Sequence, residues 1–84
     1  MSKYDPLGDF LTNTRSNIKE NTLTFSQIEK ILGFHLPYSA YHHRAWWANS
    51  LFGNNHPNAQ VWLAAGWKVE SVKQSEKWVR FERI

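Results

Sequence analysis

At 84 residues, 42% hydrophobic and 20% charged with a net charge of +3, the chain makes one small domain that buries only about 60–65% of its unfolded surface. Five Trp, five Phe and three Tyr supply large rings to a core of that size. The absence of cysteine excludes disulfides, thiolate zinc sites, iron–sulfur clusters and a cysteine nucleophile. It fits a reducing cytoplasm, and no apolar run approaches the ~20 residues of a membrane span, so a cytoplasmic chain with no membrane partner is expected.

Asp5-Pro6-Leu7-Gly8-Asp9-Phe10-Leu11 opens the first element. Asp5 can cap a helix and Pro6 suits its first position; Leu7, Phe10 and Leu11 then fall on one face. The polar stretch 12–21 reads as a frayed end and a loop. Asn21 to Phe25 is short and β-prone. Thr24 with Gln27 forms a capping box for a helix whose Ile28, Ile31 and Leu32 share a face and whose stop is Gly33.

Leu36-Pro37-Tyr38-Ser39 reads as a turn, with Ser39 placed to cap a third helix from Ala40 to about Asn49. On its wheel, Ala40, Tyr41, Arg44, Ala45, Trp47 and Ala48 share one broad arc. His42, Trp46 and Asn49 lie on the other side, so Trp47 is expected to be the more buried indole. Leu51 to Asn55 reads as a loop. Pro57 opens a fourth helix with Val61, Trp62 and Ala65 on one face, and Gly66 closes it.

The last two elements, Trp67 to Val72 and Trp78 to Arg83, flank the polar loop Lys73 to Lys77 as a hairpin. Opposing Val72 with Trp78 sets Val69 against Phe81 and Ser71 against Val79 on the inner side. Lys68 then faces Glu82 and Glu70 faces Arg80 on the outer side, both pairs of opposite charge. The order helix, strand, helix, helix, short helix, strand, strand predicts a single α+β domain, winged-helix-like, with three to four helices, a short strand and a C-terminal β-hairpin. Its core spans about residues 4–84.

The charge is uneven. Residues 1–43 sum to zero, and the whole excess of +3 sits in residues 44–84, among all five Trp. A basic, aromatic half suggests an anionic partner. The densest segment is His42-His43-Arg44-Ala45-Trp46-Trp47-Ala48-Asn49. Arg bonds phosphate or guanine edges, Asn bonds adenine, and an indole stacks on an exposed base. In a winged helix this segment is the recognition helix. The competing reading makes Arg44 and Asn49 internal hydrogen-bonding residues that serve the fold. Lys73 and Lys77, with Trp78, suit phosphate contact by the wing.

Catalysis finds little support. Adjacent His42 and His43 diverge by about 100° on a helix and do not share a metal easily. His43, Asn49 and His56 follow the order of a histidine–asparagine–histidine nuclease, but over a short interval and without its strands. The seven acids are scattered, and no Gly-rich phosphate loop, Gly-x-Ser-x-Gly or His-Glu-x-x-His occurs.

Four blocks carry a resemblance: Thr24-Phe25-Ser26-Gln27-Ile28-Glu29-Lys30-Ile31-Leu32-Gly33; Leu36-Pro37 with Ser39-Ala40; His43-Arg44-Ala45-Trp46-Trp47-Ala48-Asn49; and Trp62-Leu63-Ala64-Ala65-Gly66-Trp67-Lys68-Val69. Together they resemble a small bacterial domain family of unknown function across most of residues 3–83. The resemblance implies a bacterial or phage source and brings no activity with it.

The residues therefore predict a non-catalytic nucleic-acid-binding module without cofactor or metal, with DNA preferred over RNA. Its expected contacts are Arg44, Trp46, Asn49, His42, Lys73, Lys77 and Trp78. The alternative is a protein-binding adaptor or inhibitor, phage-encoded, that uses its aromatics as a docking patch.

Overall fold

The computed structural model describes residues 2–50 and 57–84. Its elements run α1 (Asp5–Thr12), β1 (Glu20–Thr24), α2 (Phe25–Leu32), α3 (Tyr38–His42), a 3₁₀ turn (Arg44–Trp47), α4 (Pro57–Ala64), β2 (Trp67–Lys73) and β3 (Trp78–Arg83). This is the expected α+β architecture with a C-terminal hairpin. The loop read at Leu51 to Asn55 lies outside the described residues.

Local chemistry shapes the first half. Asp5 is the first helical residue of α1 rather than its cap; its carboxylate accepts a bond from the Ser2 N–H at 3.2 Å. Leu7 and Leu11 are buried while Phe10 turns outward. At Gly8, α1 meets α4 so closely that a Cβ would stand 3.0 Å from Val61 Cγ1 and 3.2 Å from the Val61 carbonyl oxygen. Thr24 and Gln27 form the reciprocal capping box at the start of α2. Gly33 ends that helix at φ 85°, a backbone state that a Cβ disfavours.

The sheet is antiparallel with strand order β1-β3-β2. β3 lies in the middle, and Val79 and Phe81 on it are fully buried. At the base of the hairpin Lys68 opposes Glu82 and Val69 opposes Phe81, as expected. Towards the tip the register is corrected by one residue: Ser71 opposes Arg80, Val72 opposes Val79 and Lys73 opposes Trp78. The two ends impose different registers. Val69 and Phe81 anchor the base in the core, whereas the turn Gln74 to Lys77 closes Lys73 directly onto Trp78. A bulge at Glu70 absorbs the difference.

A ladder of rings joins the layers. Phe25 stacks on Trp47 (centroids 5.2 Å apart, planes 16°), Trp47 stacks on Trp62 (5.8 Å, 18°), and Trp62 tilts onto Phe81 (5.7 Å). Each such pair adds about 0.5–1.5 kcal/mol beyond its area burial. Trp47 is indeed the more buried of the adjacent pair, at 0% exposure, with Trp46 half-buried.

The continuous helix expected from Ala40 to Asn49 is overturned. α3 ends at His42, His43 is extended (φ −122°, ψ 113°), and Arg44–Trp47 is a 3₁₀ turn. The reason is packing. On one straight helix adjacent indoles diverge and one leaves the core. The break re-aims the turn, so that Trp47 enters the ladder and Trp46 meets Tyr4 edge-on at 5.7 Å.

Candidate nucleic-acid interface

The helix break frees a carbonyl that the fold then reuses. Ala40 O accepts the Trp47 indole N–H at 2.8 Å and the Gln74 side-chain amide at 2.9 Å. Gln74 belongs to the hairpin loop, so this second bond ties the loop to α3. The Phe25 N–H donates to Lys77 O at 2.9 Å, tying the same loop to the start of α2. Two segments that are thirty residues apart in sequence, the one carrying His42 and Arg44 and the one carrying Lys73 and Lys77, are thereby joined.

The cations on this face are held differently. Arg44 is exposed and, among the described residues, its guanidinium makes no hydrogen bond or ion pair. Lys77 is exposed and occupies φ 61°, the left-handed region where glycine or asparagine is usual. Lys73 pairs with Glu76 at 3.0 Å. Hydrogen bonds from Lys73 and from the Trp78 indole keep the Glu76 carboxyl below its ordinary range. Trp78 is half-buried at the edge of the loop, with the Arg80 guanidinium 5.4 Å from its ring centre.

Two expected contact residues also have partners within the fold, although Asn49 stays exposed. Asn49 pairs with the outer edge of β2: its amide donates to Val69 O, and its carbonyl accepts from Val69 N and the Trp62 indole, all at 2.8–2.9 Å. It thus acts as one residue of a fourth strand, the internal role weighed above. Trp46 lies half-buried among Tyr4, Trp47 and Trp62. Arg44 takes the opposite course, since the helix break removes it from the apolar arc assigned by the wheel.

Sequence reasoning missed Tyr38 and Glu29 beside this face and Arg83 at the hairpin base. Tyr38, read as part of a turn, opens α3 and is 70% exposed. Its ring stacks on His42 at 4.0 Å and 24°, and meets His43 at 5.9 Å. Glu29 accepts from the Leu36 N–H at 2.8 Å and the Tyr41 hydroxyl at 2.7 Å, bracing the turn before α3. Burial raises the Glu29 carboxyl, but hydrogen bonds from Tyr41, Leu36 and His35 outweigh it and the net shift is downward. Tyr41 is pushed up to about 12 by burial and then by Glu29. Arg83 is a further fold cation. Its guanidinium donates to the carbonyls of Ile18, Arg15 and Thr14 and stacks 4.4 Å from the Trp67 ring.

A groove of about 720 Å³ runs between α1 and α4 beside Asp5, Asp9 and Gln60, and none of the cations of the α3–hairpin face lines it. Among the described residues no three His, Asp or Glu gather as metal ligands, and no helix is long and apolar enough to cross a membrane.

The geometry defines a small α+β domain with an aromatic ladder for a core and a hairpin loop tied to a short helix through Gln74. The chain belongs to the domain-of-unknown-function family DUF7662, whose model matches residues 4–84. A family of unknown function is what the four blocks implied. No curated protein and no solved structure matches the chain.

Proposed function

We propose that the chain is a non-catalytic nucleic-acid-binding module of a bacterium or phage, whose contact face joins α3 and the 3₁₀ turn to the hairpin loop. The observation that carries this reading is the Gln74–Ala40 bond, which joins the segments carrying Arg44 and Lys77, two exposed cations without an acidic partner among the described residues. His42, Lys73 and Trp78 border them. The succession of helices and the strand order β1-β3-β2 suit a winged-helix-like plan with β2–β3 as the wing. A five-residue α3, about 7.5 Å long, is too short to read a groove along its length. Phosphate contacts therefore dominate, and affinity depends on salt more than on sequence. The absence of cysteine suits a reducing compartment such as the cytoplasm.

The adaptor reading keeps fewer rings, since Trp47, Trp62 and Trp67 are all fully buried, and among the described Phe, Trp and Tyr residues Tyr38 and Phe10 are the ones left exposed. A titration of the intact chain with short labelled oligonucleotides at two salt concentrations tests the proposal. Affinity should fall steeply with salt, and Arg44→Ala should flatten the logarithmic slope by about one without lowering the melting temperature. Absence of binding to any oligonucleotide at low salt would overturn it.

A further inference from the structure

Tyr38 and Tyr41 lie three residues apart on α3 and live differently. The Tyr41 ring meets Phe25 edge-on at 5.1 Å, and its hydroxyl is bonded to Glu29. Tyr38 does neither. It is 70% exposed, and among the described residues its hydroxyl has no hydrogen bond. Its ring lies one helical turn from His42 and nearly parallel to it, at 4.0 Å and 24°. Stacked face to face, each ring covers one face of the other, and the Tyr38 ring stays largely open to solvent.

We propose that Tyr38 and His42 form a stacking platform for an unpaired base, and that the face takes single-stranded nucleic acid in preference to duplex. The inference rests on the nucleic-acid reading above and names its substrate class. An exposed ring stacks on any base whose face is free, whereas a duplex hides its base faces within the stack. The backbone of the same strand needs cations, and these adjoin the platform. Arg44 follows His42 by two residues, and the loop carrying Lys77 is fastened to α3 through Gln74. The carboxylates on the elements packed here are already engaged, Glu29 by Tyr41 and Leu36, Glu76 by Lys73 and Trp78.

Three probes of equal length test the proposal on the full chain at low salt: a twelve-nucleotide oligothymidylate, the same strand with every base replaced by an abasic spacer, and a twelve-base-pair duplex. Oligothymidylate should bind about tenfold more tightly than the abasic strand, the scale of one base–aromatic stack, and more tightly than the duplex. Tyr38→Leu, an exposed change that keeps an apolar side chain, should abolish the advantage over the abasic strand, and Tyr38→Phe should retain it. Equal binding of oligothymidylate and abasic strands, or an unchanged advantage in Tyr38→Leu, overturns the platform while leaving the cationic reading in place. If none of the three probes binds, both fall.

Discussion

Two arginines divide the molecule. Around Arg83, charge is built into the fold: the guanidinium bonds three carbonyls of the loop after α1 and stacks on buried Trp67. Trp67 itself donates to Leu11 O at the end of α1. Around Arg44 the reverse holds: the guanidinium is exposed with no partner among the described residues, and two aromatic rings close by stand in solvent. The same residue type thus serves opposite ends, and net charge alone does not reveal which. Of the six cations in residues 44–84, Arg83, Arg80 and Lys73 have partners that hold them to the protein. The surface available to an anion is smaller than the charge sum suggests: Arg44, Lys68 and Lys77 are the three left without such a partner among the described residues, Arg44 just after α3, Lys77 in the hairpin loop and Lys68 near the hairpin base.

The largest effect belongs on the built-in side. Trp47 links Phe25 to Trp62 and is fully buried. Trp47→Ala should cost about 3–5 kcal/mol, close to the whole stability of a small domain. Chemical denaturation measures this, and a loss below about 1 kcal/mol would remove the ladder from the centre of the fold. Asn49 comes next. Asn49→Ala strands the Trp62 indole N–H and both polar groups of Val69, and should cost about 2–3 kcal/mol. Were its amide instead a base reader, the variant would melt normally and fail only in binding.

Glu29 sharpens the comparison through pH. Its folded pKa lies below its ordinary value of 4.5, so the ionised carboxylate favours the folded state. That contribution is complete above pH 4.5 and is lost as pH falls through the folded value. Glu29→Gln should cost about 1–2 kcal/mol at pH 7, where it weakens two charge-assisted bonds. The gap between parent and variant should narrow at pH 3, and a gap independent of pH would show that the charge is not what braces the turn. Arg83→Ala and Arg44→Ala then test the division directly. The first should cost about 1–2 kcal/mol through lost carbonyl bonds and ring contact, and the second less than about 0.5 kcal/mol. Equal losses would dissolve the distinction.

What could be read from sequence was local or strongly constrained by the core. The capping box at Thr24 and Gln27 and the stop at Gly33 depend only on neighbours within a few residues. The base of the hairpin follows from Val69 and Phe81 needing the same side. The tip escaped, because its register comes from turn closure and the mismatch is absorbed by one extra residue at Glu70. The wheel for Ala40 to Asn49 failed for a tertiary reason: both Trp46 and Trp47 have ring partners in the core, and a straight helix cannot aim both inward. Once that helix breaks, Arg44 and Asn49 part company. The bonds that hold Asn49 to Val69 and Arg83 to Ile18 cross 20 and 65 residues, and no local pattern announces them. Tyr38 was hidden by Pro37, which reads as a turn but serves as the cap of α3.

A level or raised stability, rather than a loss, gives the cleanest separation of fold from binding. Lys77 holds φ 61°, where a side chain strains the backbone and glycine does not. Most substitutions that remove a cation leave an ambiguous result, because lost binding can follow from lost structure. At this position the two move in opposite directions. Lys77→Gly removes the charge while relaxing the turn, so stability should stay level or rise by up to about 1 kcal/mol, less the entropy that glycine adds to the unfolded chain. Oligonucleotide affinity should fall at the same time, uniformly across sequences, and the salt slope should flatten by about one. A variant that melts at or above the parent temperature and binds more weakly assigns Lys77 to the anion-facing side of the comparison. A variant that binds with the parent's affinity and salt slope removes it from that side.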